Sequence, residues 1–83
     1  MKQDFHGIEV NIGQKRILEY LLTQQHSKTA YEISKATDKS WYYTIHLLRD
    51  LKHRGIIIKS GSGFKIRKEI IDNFIFTNDT NLI

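Results

Sequence analysis

The chain of 83 residues has a formal net charge of +4 and contains no cysteine. This length predicts one small domain, and the absence of cysteine excludes disulfide bonds and thiolate zinc sites. No apolar run is long enough to span a membrane, and the first ten residues lack the apolar core of a signal peptide. We therefore expect a soluble, cytoplasmic protein without a cofactor.

The positive charge is concentrated in one part of the sequence. Residues 1–38 carry five basic and five acidic side chains, whereas residues 39–68 carry eight basic side chains and a single acid, Asp50. Residues 69–83 carry three acidic side chains and no basic one, so the three net charges are 0, +7 and −3. A positive field confined to one segment is typical of a surface that binds a polyanion. Judged on charge alone, the segment could equally be a basic face that is only solvated.

The N-terminal half predicts a short strand followed by two helices. Apolar side chains alternate along "GIEVNI", which indicates a strand, and "NIGQKRILEYLLTQQ" then has a helical period. Asn11 and Gln14 have the spacing of an N-cap pair at the start of this helix. Thr29 and Glu32 form a T-x-x-E capping box, which predicts a second helix of about two turns.

The C-terminal half predicts a third helix and a β-hairpin. Ser40 is a suitable N-cap and Gly55 a suitable residue just past the last turn, so the third helix spans about residues 40–54. Two β-prone runs in residues 56–68 surround "GSG", which predicts a hairpin with a glycine-rich tip. Residues 69–76, "EIIDNFIF", suit a short helix or a strand equally well, and the pattern does not choose between them.

Three consecutive aromatic residues open the third helix. Because neighbouring residues on a helix point about 100° apart, Trp41, Tyr42 and Tyr43 cannot all face one core. We expect Trp41 to insert partly into the core with its indole N–H on a polar partner, and Tyr42 to point outward. A helical wheel assigns the core side to Thr44, Leu47, Leu48 and Leu51. It assigns the opposite side to Tyr42, His46, Arg49 and His53.

This order of elements resembles the winged-helix variant of the helix-turn-helix over about residues 12–68. The resemblance is carried by "TAYEISKATDKS" leading into "LLRDLKHRGII", and small regulators of the MarR and ArsR type and many archaeal and archaeal-virus regulators are similar. It implies a mainly α fold with a small β-hairpin (α+β), made of three helices plus a wing. The turn before the third helix usually contains glycine, and here Asp38 replaces it, a residue type that tolerates left-handed backbone better than most.

The resemblance also implies a transcriptional regulator that binds double-stranded DNA sequence-specifically, with its third helix in the major groove and its wing on the backbone or minor groove. Arg49 is the first candidate for reading a base, because its fork matches guanine O6 and N7; a phosphate contact or an acidic partner is the alternative. Tyr42 can hydrogen-bond a phosphate or cover a thymine methyl group. The candidate DNA-binding residues are Lys39, Ser40, Tyr42, Tyr43, His46, Arg49, His53, Lys59, Lys65 and Arg67.

Other classes of function fit the sequence less well. His46, Asp50 and His53 are neighbours on the wheel, but three ligands on one straight helix rarely converge on one metal ion, so no metal site is expected. An enzyme is not expected either, since there is no cysteine nucleophile and no phosphate-binding glycine loop. The competing class is a protein-docking or RNA-binding module, because fold alone does not decide function.

The terminal segments 1–11 and 69–83 contain apolar side chains that a minimal three-helix core does not need. This excess suggests that both segments contribute to a homodimer interface. In such a dimer the two third helices would meet successive major grooves about 34 Å apart on a roughly palindromic site. The apolar residues concerned are Phe5, Ile8, Val10, Ile70, Ile71, Phe74, Ile75 and Phe76.

Overall fold

The computed structural model describes residues 2–73, which form an α+β domain of four helices and two antiparallel hairpins. The elements in chain order are β1 (Lys2–Phe5), β2 (Ile8–Asn11), α1 (Ile12–Leu22), α2 (Ala30–Ala36), α3 (Trp41–His53), β3 (Ile57–Ser60), β4 (Gly63–Ile66) and α4 (68–73). The predicted α+β class is confirmed. The expectation of three helices and one hairpin did not include the strand β1 or the helix α4. Within this range, every helix is too short or too polar to cross a bilayer.

The predicted helix starts are confirmed by their capping contacts. Asn11 Oδ1 accepts a hydrogen bond from the Gln14 backbone N–H at 2.8 Å, and the Gln14 side chain accepts one from the Asn11 backbone N–H at 3.1 Å. Thr29 and Glu32 form the same reciprocal pair at the start of α2, and the Ser40 side chain caps α3. These contacts satisfy N–H groups that the first turn of a helix leaves without partners.

Two residues with left-handed backbone conformation allow the chain to turn before and after α3. Asp38, between α2 and α3, has a φ of 55°, and Gly55, just after α3, has a φ of 76°. Glycine adopts this conformation without a Cβ clash, and aspartate is one of the few other residue types that visit it. Both residues therefore act as the sequence predicts.

The N-terminal hairpin was not predicted, although its second strand was. β1 and β2 are joined by His6 and Gly7, whose φ values are 50° and 87°. Two positive φ values in a two-residue loop are typical of the tight turn that usually has Asn-Gly or Asp-Gly, and histidine in the first position obscures that signal. The hairpin brings Phe5 and Val10 into the core, where each is 2% exposed.

The core lies between the helices and the inner faces of both hairpins. Apolar burial of this kind is the main favourable term in folding. The side chains that are most completely buried come from α1, α2, α3 and β3: Ile17, Leu18, Ile33, Thr44, Leu48, Leu51 and Ile57.

Much of the apolar surface expected at a dimer interface packs instead on the chain's own core. Phe5 and Val10 belong to the core, and Ile8, Ile70 and Ile71 pack against it. Residues 68–73 are helical. For this part of the segment 69–76, which suited a helix or a strand equally well, the structure shows a helix. The other expected interface residues lie outside the described residues: Phe74, Ile75 and Phe76.

The C-terminal hairpin β3–β4 is tied to the segment between α1 and α2. The Lys28 backbone N–H donates to the Phe64 carbonyl at 3.0 Å, and the Phe64 N–H donates to the Lys28 carbonyl at 2.7 Å. The Ser27 hydroxyl also donates to the Ser60 carbonyl at 3.2 Å. Gly63 permits this approach, since a Cβ there would lie 2.9–3.0 Å from the Lys28 backbone. The hairpin therefore has a defined position relative to the helices.

Candidate nucleic-acid interface

The outer face of α3 carries aromatic and basic side chains along its length. Tyr42, His46, Arg49 and His53 recur at helical spacing and are all exposed. At a rise of about 1.5 Å per residue, this face extends about 16 Å. The opposite side of α3 is buried as the wheel predicts, through Thr44, Leu47, Leu48 and Leu51.

All three aromatic residues in the first turn of α3 are exposed. The exposed fractions of Trp41, Tyr42 and Tyr43 are 53%, 69% and 47%. The expectation that Trp41 inserts into the core is wrong, because it is absent from the side chains that pack there. Side chains on a helix tilt toward its N-terminus, so a side chain at the first helical position projects beyond the end of the helix rather than over the core.

The ring of Tyr42 is oriented by a neighbour on the same face. Its centroid lies 4.7 Å from that of the His46 ring, with an angle of 73° between the two planes. This edge-to-face arrangement is one that aromatic rings prefer, and the spacing of four residues permits it on a helix. The pair places the Tyr42 ring beside His46 on the outer face of α3.

The single acid of the basic segment is engaged on a flank of α3. Asp50 Oδ2 accepts a hydrogen bond at 2.7 Å from Gln14 Nε2, which belongs to a side chain only 4% exposed, and lies 3.6 Å from Arg54 Nη1. Arg54 Nη2 in turn donates to the Glu9 carbonyl at 2.6 Å. These contacts fix α3 to α1 and β2, and they give Asp50 partners other than Arg49.

Arg49 and Arg67 differ in the availability of their guanidinium groups. Arg67 Nη2 donates to Glu69 Oε2 at 3.0 Å, and Nη1 donates to the Gly55 carbonyl at 3.5 Å. The pKa of the Glu69 carboxyl is lowered, first because its own backbone N–H donates to it and second because Arg67 does. The Arg49 guanidinium makes no hydrogen bond or ion pair with any residue from 2 to 73. Its fork is therefore free to bind a ligand, whereas Arg67 must exchange an internal partner.

A groove of about 200 Å³ separates α3 from the C-terminal hairpin. Its walls combine apolar side chains with three cations, a composition that suits a sugar–phosphate strand. Lys52 belongs to this groove but was not among the sequence candidates, although the wheel places it on the same flank as Ile45. The lining residues are Ile45, Leu48, Arg49, Lys52, Lys59 and Phe64.

The candidate cations of the C-terminal hairpin lie on both of its faces. Lys59 pairs with Phe64 across the two strands, and Lys65 pairs with Ile58. Because cross-strand partners share a face, Lys59 faces the groove with Phe64, and Lys65 lies on the other side. The predicted alternation along β4 is confirmed, since Lys65 is exposed and Ile66 buried. Lys59 and Lys65 therefore cannot contact the same phosphate from one face.

Lys39 and Ser40 lie at the N-terminal end of α3, as the sequence predicts. The Lys39 backbone N–H donates to the Ser34 carbonyl at 3.0 Å, and the Lys39 side chain passes close to Gly13 in α1. Ser40 Oγ accepts a hydrogen bond from the Tyr43 backbone N–H at 3.1 Å. Ser40 thus has a structural role as a cap and is also exposed.

Within the described range, no three histidine, aspartate or glutamate side chains are grouped to bind a metal ion. No family model, curated protein or solved structure matches this chain.

Proposed function

We propose that this chain is a winged helix-turn-helix domain that binds double-stranded DNA sequence-specifically as a transcriptional regulator. In this proposal α2, the turn at Asp38 and α3 form the helix-turn-helix. The helix α3 enters the major groove, and the hairpin β3–β4 is the wing that contacts the backbone or the minor groove.

The observation that carries the proposal is the free guanidinium of Arg49 in the outer face of α3. The face extends about 16 Å and belongs to a helix about 10–12 Å wide, which fits a major groove about 12 Å wide. The first turn of α3 contains no acid, and Asp50 is occupied by Gln14 and Arg54. An arginine fork with no internal partner is suited to a bidentate contact with guanine.

The groove beside α3 supports the same proposal. Beside Arg49, the two lysines Lys52 and Lys59 line it together with apolar side chains. A DNA strand running past the recognition helix offers phosphates to such cations and a sugar surface to the apolar walls. Contacts of this kind set the position of α3 on the duplex without reading sequence.

Sequence specificity can be tested by selecting ligands for the full chain from a random duplex pool. The wild-type protein should enrich one motif, and Arg49→Ala should lose the preference at one base pair of that motif. Lys65→Ala, a matched loss of one exposed cation, should bind more weakly but enrich the same motif. Binding without enrichment of any motif would contradict the proposal.

The exposed aromatic turn favours one competing function, an RNA-binding or protein-docking module. Aromatic rings stack on unpaired bases, and they also form the energetic centres of many protein interfaces. Such a module would bind single-stranded RNA better than duplex DNA, or it would bind neither. The basic charge that flanks the aromatic turn favours a nucleic acid over a protein partner, and the free Arg49 fork on the outer face of α3 favours duplex DNA over RNA.

We also propose that the domain acts as a homodimer on a roughly palindromic site. Sedimentation at micromolar concentration should give twice the mass of the chain. A monomeric mass at that concentration would contradict this.

A further inference from the structure

The first turn of α3 is an exposed, uncharged aromatic surface next to the cations of the interface. Trp41, Tyr42 and Tyr43 are about half exposed or more, and no acidic side chain belongs to this turn. Lysine and arginine side chains elsewhere in the interface can serve the phosphates. The aromatic turn is therefore available for a different kind of contact.

The edges of the base pairs offer one apolar group in the major groove, the C5 methyl of thymine. We infer that the first turn of α3 covers thymine methyl groups, with Tyr42 as the main contact, so that the protein prefers thymine to the same base without its methyl group. This inference rests on the proposed function and names what the N-terminal end of α3 recognises.

The packing of Tyr42 favours a base contact over a phosphate contact. Its ring lies edge-to-face with the His46 ring on the outer face of α3, and the two ring centroids are 4.7 Å apart. In the proposed arrangement this face meets the base edges, whereas phosphates lie at the rim of the groove. A phosphate contact would use the Tyr42 hydroxyl alone, and a methyl contact would use the ring.

The test compares two duplexes that differ only in the methyl groups. One is a labelled alternating adenine–thymine duplex, and the other has deoxyuridine in place of every thymine. Alternation presents methyl groups to α3 in every register, and the backbone charge is the same in both duplexes. Full coverage of one methyl group corresponds to about fourfold in affinity, so the wild-type protein should bind the thymine duplex tighter by at least about that factor.

Three variants separate the ring, the hydroxyl and the duplex itself. Tyr42→Phe keeps the ring and should keep the preference for thymine, whereas Tyr42→Ala should reduce it to about one. Tyr31→Ala removes a similarly exposed tyrosine from α2 and should leave the preference unchanged. A preference due only to different stiffness of the two duplexes would survive in Tyr42→Ala.

Equal affinity of the wild-type protein for the two duplexes would overturn the inference while leaving duplex binding intact. The same conclusion would follow if Tyr42→Ala weakened binding to both duplexes by the same factor, because the contact would then be with the backbone. Failure to bind either duplex even at low salt, where binding through phosphates does not depend on sequence, would overturn the proposed function as well.

Discussion

The substitution Gly63→Ala tests how the hairpin β3–β4 is held on the helices. Gly63 opens β4 beside Lys28, and a Cβ at this position would lie 2.9 Å from the Lys28 carbonyl carbon and 3.0 Å from its nitrogen and oxygen. These are backbone atoms that cannot rotate away as a side chain can. The hairpin must therefore move away from Lys28 to accept the methyl group.

The magnitude follows from the contacts that this movement strains. Overpacking by one methyl group costs about 1–3 kcal/mol. The two hydrogen bonds between Lys28 and Phe64, at 3.0 and 2.7 Å, are each worth about 1 kcal/mol and would lengthen. We expect the free energy of unfolding to fall by about 2–3 kcal/mol, which in a domain of this size lowers the Tm by roughly 10–20 °C.

The assay combines urea unfolding with hydrogen exchange at the Phe64 amide, which donates the shorter of the two bonds. In Gly63→Ala the Phe64 amide should exchange faster than in the wild-type protein. Ser62→Ala, at the exposed tip of the same hairpin, is the matched control and should change the free energy of unfolding by less than about 0.5 kcal/mol. An unchanged free energy of unfolding together with full protection of the Phe64 amide in Gly63→Ala would show that the contact between Gly63 and Lys28 does not constrain the hairpin.

Three further predictions concern charged side chains. Arg49→Ala should cost about 1–3 kcal/mol of binding free energy on the preferred site. Lys65→Ala should weaken binding to all sequences and make the salt dependence of binding shallower. Titrations on matched and mismatched duplexes distinguish these two effects. Glu69→Gln should tighten DNA binding, because it removes the negative charge that pairs with Arg67 at 3.0 Å, and an unchanged affinity would mean that Arg67 does not reach the DNA. Acid should remove a stabilising contribution of Glu32, whose pKa in the folded protein is lowered from 4.5 chiefly by a backbone N–H at the start of α2. Because the pKa is lowered, ionised Glu32 stabilises the fold above pH 4.5, and this contribution is lost as the pH falls through the pKa of the folded protein. In Glu32→Gln, the free energy of unfolding measured with urea should therefore depend less on pH in that range.

The helices could be predicted because their signals are local. Apolar spacing, the capping residues Asn11, Thr29 and Ser40, and the turn residue Asp38 each act within a few positions of their own place in the chain. The same spacing also predicted which side of α3 is buried. The error at Trp41 arose because a wheel gives direction around the helix axis but not position along it.

Contacts between distant segments could not be predicted in this way. The bridge between Lys28 and Phe64 is made by backbone groups, so no pattern of side chains indicates it in the sequence. Its one trace is the small residue next to it, Gly63. The partner of Arg54 is the carbonyl of Glu9, 45 positions earlier, and any residue there would present the same group. The wheel could place charged residues on α3, but only the fold determines which of them are already engaged.

Duplex binding can be measured by fluorescence anisotropy of a labelled AT-rich duplex titrated with the full chain at low and moderate salt, with single-stranded RNA as competitor. We expect tight binding that resists the RNA and weakens steeply with salt, because each phosphate neutralised contributes a slope of about −0.9 in log K against log salt. Absence of duplex binding at low salt, or displacement of the duplex by an equal amount of RNA, would contradict the proposed function and favour the RNA-binding or docking module.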